Sequence, residues 1–384
     1  MQLKKRNTAI EIFFQFLKKM EISAFCILML LASSCKSRLV NMGIEEPRGK
    51  EDVLKILPGS NNPRNSEGDF ITLKDGRILY IYSHFTGTSG GDFGNAYLVS
   101  RYSTDKGKTW SKEDLPVIKQ EGNMNVMSVS LLRLKNGSIA LFYLKKNSKE
   151  DCIPMMRISY DEAETWSNPI SCITDKQGYF VLNNNRIIQL KNGRLLMPVA
   201  LHKSLEGQWQ NKAIIYTYYS DDNGVNWKCS EAVPNNSDII TQEPGVVELK
   251  DGTIMMFIRA SGGVQQLSYS KDRGQKWTHI KPSIIKSPLS PASITRIPST
   301  EDLLMVWNNN GIDQKRSPLS IAISRDEGTT WEKIKNIEND PDGSFCYTAI
   351  HFTGKNVLIG FWNRANKNKS SSDVIRVNID RIYK

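Results

Sequence analysis

Short apolar runs broken by Asp-Gly and Asn-Gly turns recur along most of the chain. Leu73–Leu79 reads LKDGRIL, Leu134–Ala140 LKNGSIA, Leu190–Leu196 LKNGRLL and Leu249–Met255 LKDGTIM, with weaker versions at Ser299–Met305 and Phe352–Leu358. A polar glycine turn between two β-rich runs is the signature of a β-hairpin. An octapeptide alternates with it: STDKGKTW from Ser103, SYDEAETW from Ser159, SDDNGVNW from Ser220, SKDRGQKW from Ser270 and SRDEGTTW from Ser324. The turn glycines Gly76, Gly137, Gly193 and Gly252 are spaced by 61, 56 and 59 residues, and the tryptophans Trp110, Trp166, Trp227, Trp277 and Trp331 by 56, 61, 50 and 54. Both series share one period, and each period holds two hairpins. Four short strands per unit, repeated six times over residues 55–384, predict an all-β, six-bladed β-propeller with four-stranded antiparallel blades. No long amphipathic helical pattern competes with this reading. The last stretch, Ser372–Lys384 (SDVIRVNIDRIYK), alternates like a strand and is expected to close the ring by pairing with a first-blade strand.

The octapeptide has a local physical meaning. Its Ser hydroxyl and Asp carboxylate can cap backbone N–H groups in a tight turn, its Gly can take positive φ, and its Trp supplies an apolar plate. None of this needs a ligand, so five copies point to scaffold rather than to chemistry. Ala163 replaces the glycine in the second copy and should cost local turn strain.

Composition changes the picture at the N-terminus. Lys4, Lys5, Arg6, Lys18 and Lys19 precede the apolar run Ile22–Leu31 and the string ASSC ending at Cys35, a secretory leader too short to span a bilayer. Residues 1–34 are therefore expected to be a signal peptide, 35–54 a linker and 55–384 the propeller. Without residues 1–34 the formal charge falls from +11 to +8, because five basic and two acidic residues leave with them. A basic exported protein suits an anionic partner, while the lack of a dense basic run or zinc-finger spacing argues against nucleic acid. Cys152, Cys172, Cys229 and Cys346 are far apart and form no CxxC pair, so no metal site is expected, and one disulfide is compatible with export. The four histidines stand outside any HExxH motif, and no GxSxG elbow accompanies them. No cofactor is implied.

Two resemblances sharpen the reading. LLASSC is similar to a bacterial lipobox, which implies cleavage before Cys35 and its lipidation, and hence a membrane-anchored lipoprotein of the periplasm or cell surface. The octapeptide resembles the Asp-box, or bacterial neuraminidase repeat, which joins the outer two strands of a blade on the face away from the active site. Over most of the chain beyond the leader the pattern resembles the sialidase superfamily. Sialic acid carries a carboxylate on its anomeric carbon, so its site needs guanidinium groups to hold that carboxylate and a nucleophile that the carboxylate does not repel. The family meets this need with three arginines, a tyrosine nucleophile with a glutamate partner, and an aspartate acid/base.

Residue by residue, the segment Gln242–Gly263 (QEPGVVELKDGTIMMFIRASGG) implies that Glu243 draws the proton from the tyrosine and that Arg259 binds carboxylate. Gly343–Phe352 (GSFCYTAIHF) implies Tyr347 as nucleophile, and Arg316, one strand ahead of the fifth octapeptide, is the second arginine. The first blade departs from the family's Arg-Ile-Pro motif, reading PRNSEGDF, so Arg64 takes the place of the third arginine without the usual neighbours. Asp92, in GTSGGDFGN, fits a mobile acid/base after the first hairpin, with Glu67 and Asp69 as rivals. The string Arg296-Ile297-Pro298 lies in the fifth unit and is read as coincidence. Asn183, Asn184, Asn185 and Arg186 have no counterpart in the family pattern and could read sugar hydroxyls or a second acidic group, or form a solvated loop. The expectation is a monomeric exo-glycosidase that removes α-linked sialic acid from glycoconjugates with retention. A related enzyme for uronic acids or other sugars, and a non-catalytic glycan-binding lipoprotein, are the alternatives.

Overall fold

The computed structural model describes residues 46–47, 49–366 and 369–384; Cys35 and the leader lie outside the described residues. Strand β1 (Glu51–Ile56) is followed by a meander of β2 (Asn65–Thr72), β3 (Ile78–Phe85), β4 (Ala96–Ser103) and β5 (Leu115–Ile118). The next comprises β6 (Asn125–Arg133), β7 (Ile139–Lys146), β8 (Cys152–Ser159) and β9 (Ile170–Ser171). The third is built from β10 (Gly178–Val181), β11 (Ile188–Gln189), β12 (Leu195–Ser204), β13 (Ile214–Ser220) and β14 (Lys228–Cys229), with β10 and β11 both pairing β12. Two further sheets are β15 (Thr241–Glu248), β16 (Ile254–Ala260), β17 (Val264–Ser270), β18 (Lys281–Lys286), and β19 (Ser293–Arg296), β20 (Leu303–Asn308), β21 (Leu319–Ser324), β22 (Glu332–Glu338). The chain ends with β23 (Phe345–Thr353), β24 (Asn356–Asn366), β25 (Lys369–Asn378) and the one-turn helix α1 (Ile379–Ile382). The fold is all-β, built of four-stranded antiparallel sheets, consistent with a β-propeller.

Neighbouring meanders touch through single parallel pairings, Ala96 with Asn125 and Cys152 with Tyr179, which join the first three into one continuous sheet. The innermost strands are buried on both faces: every residue of β2 but the last is enclosed. The strands beside them are buried likewise, so β3 (ILYIYSHF), β7 (IALFYLKK) and β20 (LLMVWN) read as near-continuous apolar runs rather than as strict alternation. Full burial of side chains such as Tyr80, Tyr82, Phe142 and Phe345 contributes about 1.5–3 kcal/mol each.

Two expectations need correction. β25 pairs with β24 and β1, not with a strand of the first meander, and β1 runs antiparallel to it from Glu51 opposite Arg376 to Ile56 opposite Ser372. The N-terminal strand thus completes the C-terminal sheet, and the strand region starts at Glu51 rather than at residue 55. The physical reason is that β25 would otherwise present an unpaired edge. Val53 and Leu54 pack beside Phe70, Tyr80, Leu358 and Val374, so this corner joins both ends of the chain to the first meander. The disulfide left open by the sequence is absent: Cys152, Cys172, Cys229 and Cys346 are free.

The octapeptides join the third and fourth strands of their sheets, as expected. In the first, Ser103 donates to Asp105 (2.8 Å), Gly107 N–H donates to Ser103 (2.9 Å) and Thr109 N–H donates to Asp105 (2.9 Å). The same three bonds recur in the other four copies. Ala163 adopts φ +71°, the conformation its counterpart glycines take freely. The boxes also lean on the preceding sheet. Glu162 accepts from the backbone N–H of Lys74 (2.8 Å) and from Arg133 (2.6 Å), and Glu327 does the same with Lys250 and Arg296. A Cβ on Gly107 would stand 2.7 Å from Leu358, so the first box packs on the last sheet.

Candidate active site

Four of the innermost strands share a distortion near their first residues. Pairing slips between Ser66 and Asp69 in β2, Met127 and Ser130 in β6, Gln242 and Pro244 in β15, and Cys346 and Ala349 in β23. A non-glycine residue with positive φ sits in each slip: Glu67 (49°), Ser128 (60°), Glu243 (35°) and Tyr347 (57°). A bulge re-aims a side chain out of the pleat, and each such backbone costs of order 1–3 kcal/mol, which the surrounding sheets must supply. All four residues line one cavity of about 300 Å³, together with Asp92 and Arg259. Of the sequence candidates, Asp92, Glu243, Arg259 and Tyr347 therefore converge with the rival Glu67, although they come from three separate sheets.

The three arginines bind their neighbours in different ways. Arg64 donates to Asp92 (Nη1–Oδ1, 2.6 Å), Glu67 (Nη2–Oε1, 2.9 Å) and Ser66 (Nε–Oγ, 2.8 Å), and its guanidinium lies over the Phe85 ring. Burial opposes its charge, but the two carboxylates outweigh that and raise its pKa. Arg259 donates to Glu243 (Nη1–Oε2, 2.8 Å), and its buried Nε has no hydrogen-bond partner. Arg316 approaches the Cys346 sulfur (3.1 Å) and stands 5.6 Å from the centre of the Tyr347 ring. Burial is again outweighed, by Cys346, Tyr347 and Glu243, so its pKa is raised. Burial pushes the Tyr347 phenol up, the Glu243 charge adds to that, and Arg316 and Arg259 pull the other way. Glu243 takes its hydrogen bond from Arg259, and none joins it to Tyr347.

The three carboxyl rivals separate clearly. Asp69 is enclosed and accepts three hydrogen bonds, from Phe70 N–H, Leu131 N–H and Asn185, while burial pushes it up to about 7. Glu67 is clamped by Arg64 and Ser66, and burial raises its pKa. Asp92 has a side chain 58% exposed; partial burial would raise its pKa, but Arg64 holds it below the usual carboxylate range. The loop carrying Asp92 is less free than its glycines imply: Asp92 O accepts from Lys146 Nζ (2.8 Å) and Asn125 Nδ2 (3.0 Å).

The Asn183–Arg186 run is neither a solvated loop nor a set of four sugar readers. Asn183 alone reaches the cavity, with its Nδ2 unpartnered. Asn184 donates to Gly68 O (2.9 Å) and Tyr347 O (3.1 Å), holding the backbone of two bulges. Asn185 bonds Asp69 and Ile350, and Arg186 turns to Ser293 and Ala292. Arg186 lines a second cavity, about 340 Å³, with His351 at the far ends of the inner strands. Arg296 pairs with Glu327 of the fifth box, away from the candidate cavity, so its Arg-Ile-Pro string is coincidental.

Sequence reasoning missed Lys146, Tyr179, His202 and Trp209, all lining the cavity. Phe93, Tyr179 and Trp209 meet edge to face, and His202 stacks on Trp209 (4.8 Å). Lys146 ends an apolar strand and Trp209 lies in a hairpin loop, so neither carried a pattern that could have marked it. Among the described residues, no cluster of His, Cys, Asp and Glu could hold a metal ion, and no helix is long and apolar enough to cross a membrane.

Residues 118–359 match the family described as BNR repeat-like domain, and residues 101–112 the BNR/Asp-box repeat. A sialidase of Bacteroides fragilis is 26% identical over 67% of this chain, which spans 52% of that relative's length. Among solved structures, a Dyadobacter fermentans protein of unknown function is similar (TM-score 0.70, 20% identity, 86% of this chain and 100% of that one). So is a Trypanosoma rangeli sialidase mutant displaying trans-sialidase activity (TM-score 0.70, 17% identity, 89% of this chain and 60% of that one). At these identities the structural likeness speaks for the fold alone.

Proposed function

Because this chain belongs to the BNR repeat-like domain family, we propose that its four-strand sets form six blades, β1 completing the last, and that the bulge-lined cavity is that of a retaining exo-sialidase. The observation that carries this reading is the convergence of Arg259, Glu243, Tyr347 and Asp92 on one cavity, with Arg64 and Arg316 in contact with its walls. Three guanidinium groups around one phenol suit an anionic sugar whose carboxylate sits beside the reacting carbon.

The ion pairs of the site suggest how substrate engages it. An incoming carboxylate competes with Asp92 for Arg64 and with Glu243 for Arg259. Released from Arg64, Asp92 loses the charge that depresses its pKa and becomes able to carry a proton. Released from Arg259, Glu243 can take the Tyr347 proton. The Tyr347 oxygen then bonds to the anomeric carbon while the glycosidic C–O bond breaks and Asp92 protonates the leaving oxygen. In the second half Asp92 takes a proton from water, whose oxygen displaces Tyr347 and restores the starting configuration, while Glu243 returns its proton to the departing Tyr347 oxygen. We further propose, from the leader alone, an exported lipoprotein anchored through Cys35 and acting on sialylated glycans; Cys35→Ser should abolish radiolabelled palmitate incorporation.

The deciding measurement is release of 4-methylumbelliferone from its α-sialoside and its β-glucuronide. Turnover of the sialoside alone supports the assignment, whereas turnover of the glucuronide alone moves it to a uronic acid. The missing Tyr347–Glu243 hydrogen bond favours one other reading, a glycan-binding protein without catalysis. Saturable sialyllactose binding with no turnover of any glycoside would establish that instead.

A further inference from the structure

Lys146 is a buried cation in the candidate site that the arginine, tyrosine and carboxylate prescription does not use. It is 2% exposed, at the end of β7, and it lines the cavity. Among the described residues it forms no ion pair with a carboxylate within 4.0 Å. Its ammonium donates to Asp92 O (2.8 Å) and approaches the Met127 sulfur (3.4 Å). It also lies near the faces of Phe93 (5.1 Å) and Tyr179 (5.5 Å). A buried ammonium on a neutral carbonyl is a costly arrangement, since the carbonyl returns less than a carboxylate would.

The same carbonyl is held a second time. Asn125 faces Lys146 directly across the β6–β7 pair, and its Nδ2 donates to Asp92 O (3.0 Å) and Gly94 O (2.7 Å). Asn125 is also the residue that pairs with Ala96 at the junction of the first two meanders. The segment Ser89–Gly94 contains three glycines and forms no strand, yet its central carbonyl is fixed from the neighbouring meander by two side chains rooted in regular structure. The Asp92 side chain is 58% exposed and held by one ion pair, to Arg64 (2.6 Å).

We propose that Lys146 is the positioning residue of the acid/base, with Asn125 as its partner. The two pin the Asp92 main chain so that its carboxyl pivots between Arg64 and the leaving oxygen without the loop moving. This rests on the assignment of Asp92 as the acid, and the test separates the two claims. A general acid matters most when the leaving group is poor, so loss of its placement should depend on the leaving group.

Wild type, Asp92→Ala, Lys146→Met and Asn125→Ala are compared on 4-nitrophenyl α-sialoside, a good leaving group, and on 3′-sialyllactose, a poor one. Lys146→Met should lower kcat on sialyllactose by roughly 10²-fold and on the nitrophenyl substrate by less than about tenfold, with KM within about threefold. Asn125→Ala should show the same contrast more weakly, and Lys146→Met should add little on top of Asp92→Ala. Ethylammonium added to Lys146→Ala, which leaves a space for it, should restore part of the sialyllactose activity. Equal losses on both substrates in Lys146→Met and Asn125→Ala, with a clear contrast in Asp92→Ala, would overturn the positioning role and leave Asp92 in place. No contrast in Asp92→Ala would overturn the acid assignment and the inference with it.

Discussion

At the scale of single residues, the candidate site is built from side chains that carry no repeat. Glu243 and Tyr347 were legible because each sits in a segment with a family pattern, and the structure adds the reason they point inward: each occupies a bulge at positive φ. Tyr347→Phe removes the oxygen that would bond to the anomeric carbon. A 2,3-difluorosialic acid treatment that adds a sugar mass to wild type should add none to the variant, as read by mass spectrometry of the intact chain. Arg259→Ala strips Glu243 of its hydrogen-bonded counter-charge and leaves a carboxylate 13% exposed without a partner. It also removes the guanidinium that the substrate carboxylate would pair with; loss of one member of a buried charge pair costs about 2–5 kcal/mol, so KM for the sialoside should rise by at least about thirtyfold in steady-state assays. Lys146 and Asn125 were not legible, because what makes them a pair is their register across β6 and β7 and the carbonyl brought between them.

At the scale of elements, the octapeptide was fully legible, since every bond that defines it is local. Hydrogen bonds from Thr165 and Ser159 hold the Asp161 carboxyl down to about 2. The Asp105 carboxyl is held equally low, hydrogen bonds from Thr109 and Ser103 outweighing slight burial. A carboxyl depressed in the folded state stabilises it above the unfolded value, near 4, and loses that contribution as pH falls toward 2. The midpoint of urea unfolding should therefore drop steeply between pH 4 and 2. Asp161→Asn, weaker than wild type at pH 6, should converge with it at pH 2. Ala163 at φ +71° offers the opposite change: Ala163→Gly should stabilise by about 0.5–1 kcal/mol, visible as a higher urea midpoint with unchanged slope. What the motif alone did not disclose is its second duty, in which Glu162 and Glu327 tie each box to the hairpin of the preceding sheet.

At the scale of the whole molecule, stability depends on joining the two ends of the chain. β1 covers the edge of β25 and packs with the first meander, so its removal exposes both a strand edge and an apolar corner. A chain lacking residues 1–56 should melt at lower temperature and associate, as followed by calorimetry and light scattering, while deletion of residues 1–45 should leave the melting temperature within about 2 °C of the full chain. The closing strand escaped sequence reasoning because EDVLKI has no Asp-Gly or Asn-Gly turn and no octapeptide near it. Only its partner identifies it.

The sequence by itself determined the all-β class, the period and the place of each octapeptide. These are properties written within single hairpins, where hydrogen bonds span a few residues. The tertiary structure decided which carboxyl stays open, that Asn184 and Asn185 plug the interior, and that Lys146 and Asn125 reach across to Asp92. Those outcomes depend on distances between sheets that lie scores of residues apart in the chain. A burial or an ion pair of that kind exists only once the inner strands have been brought around a common centre.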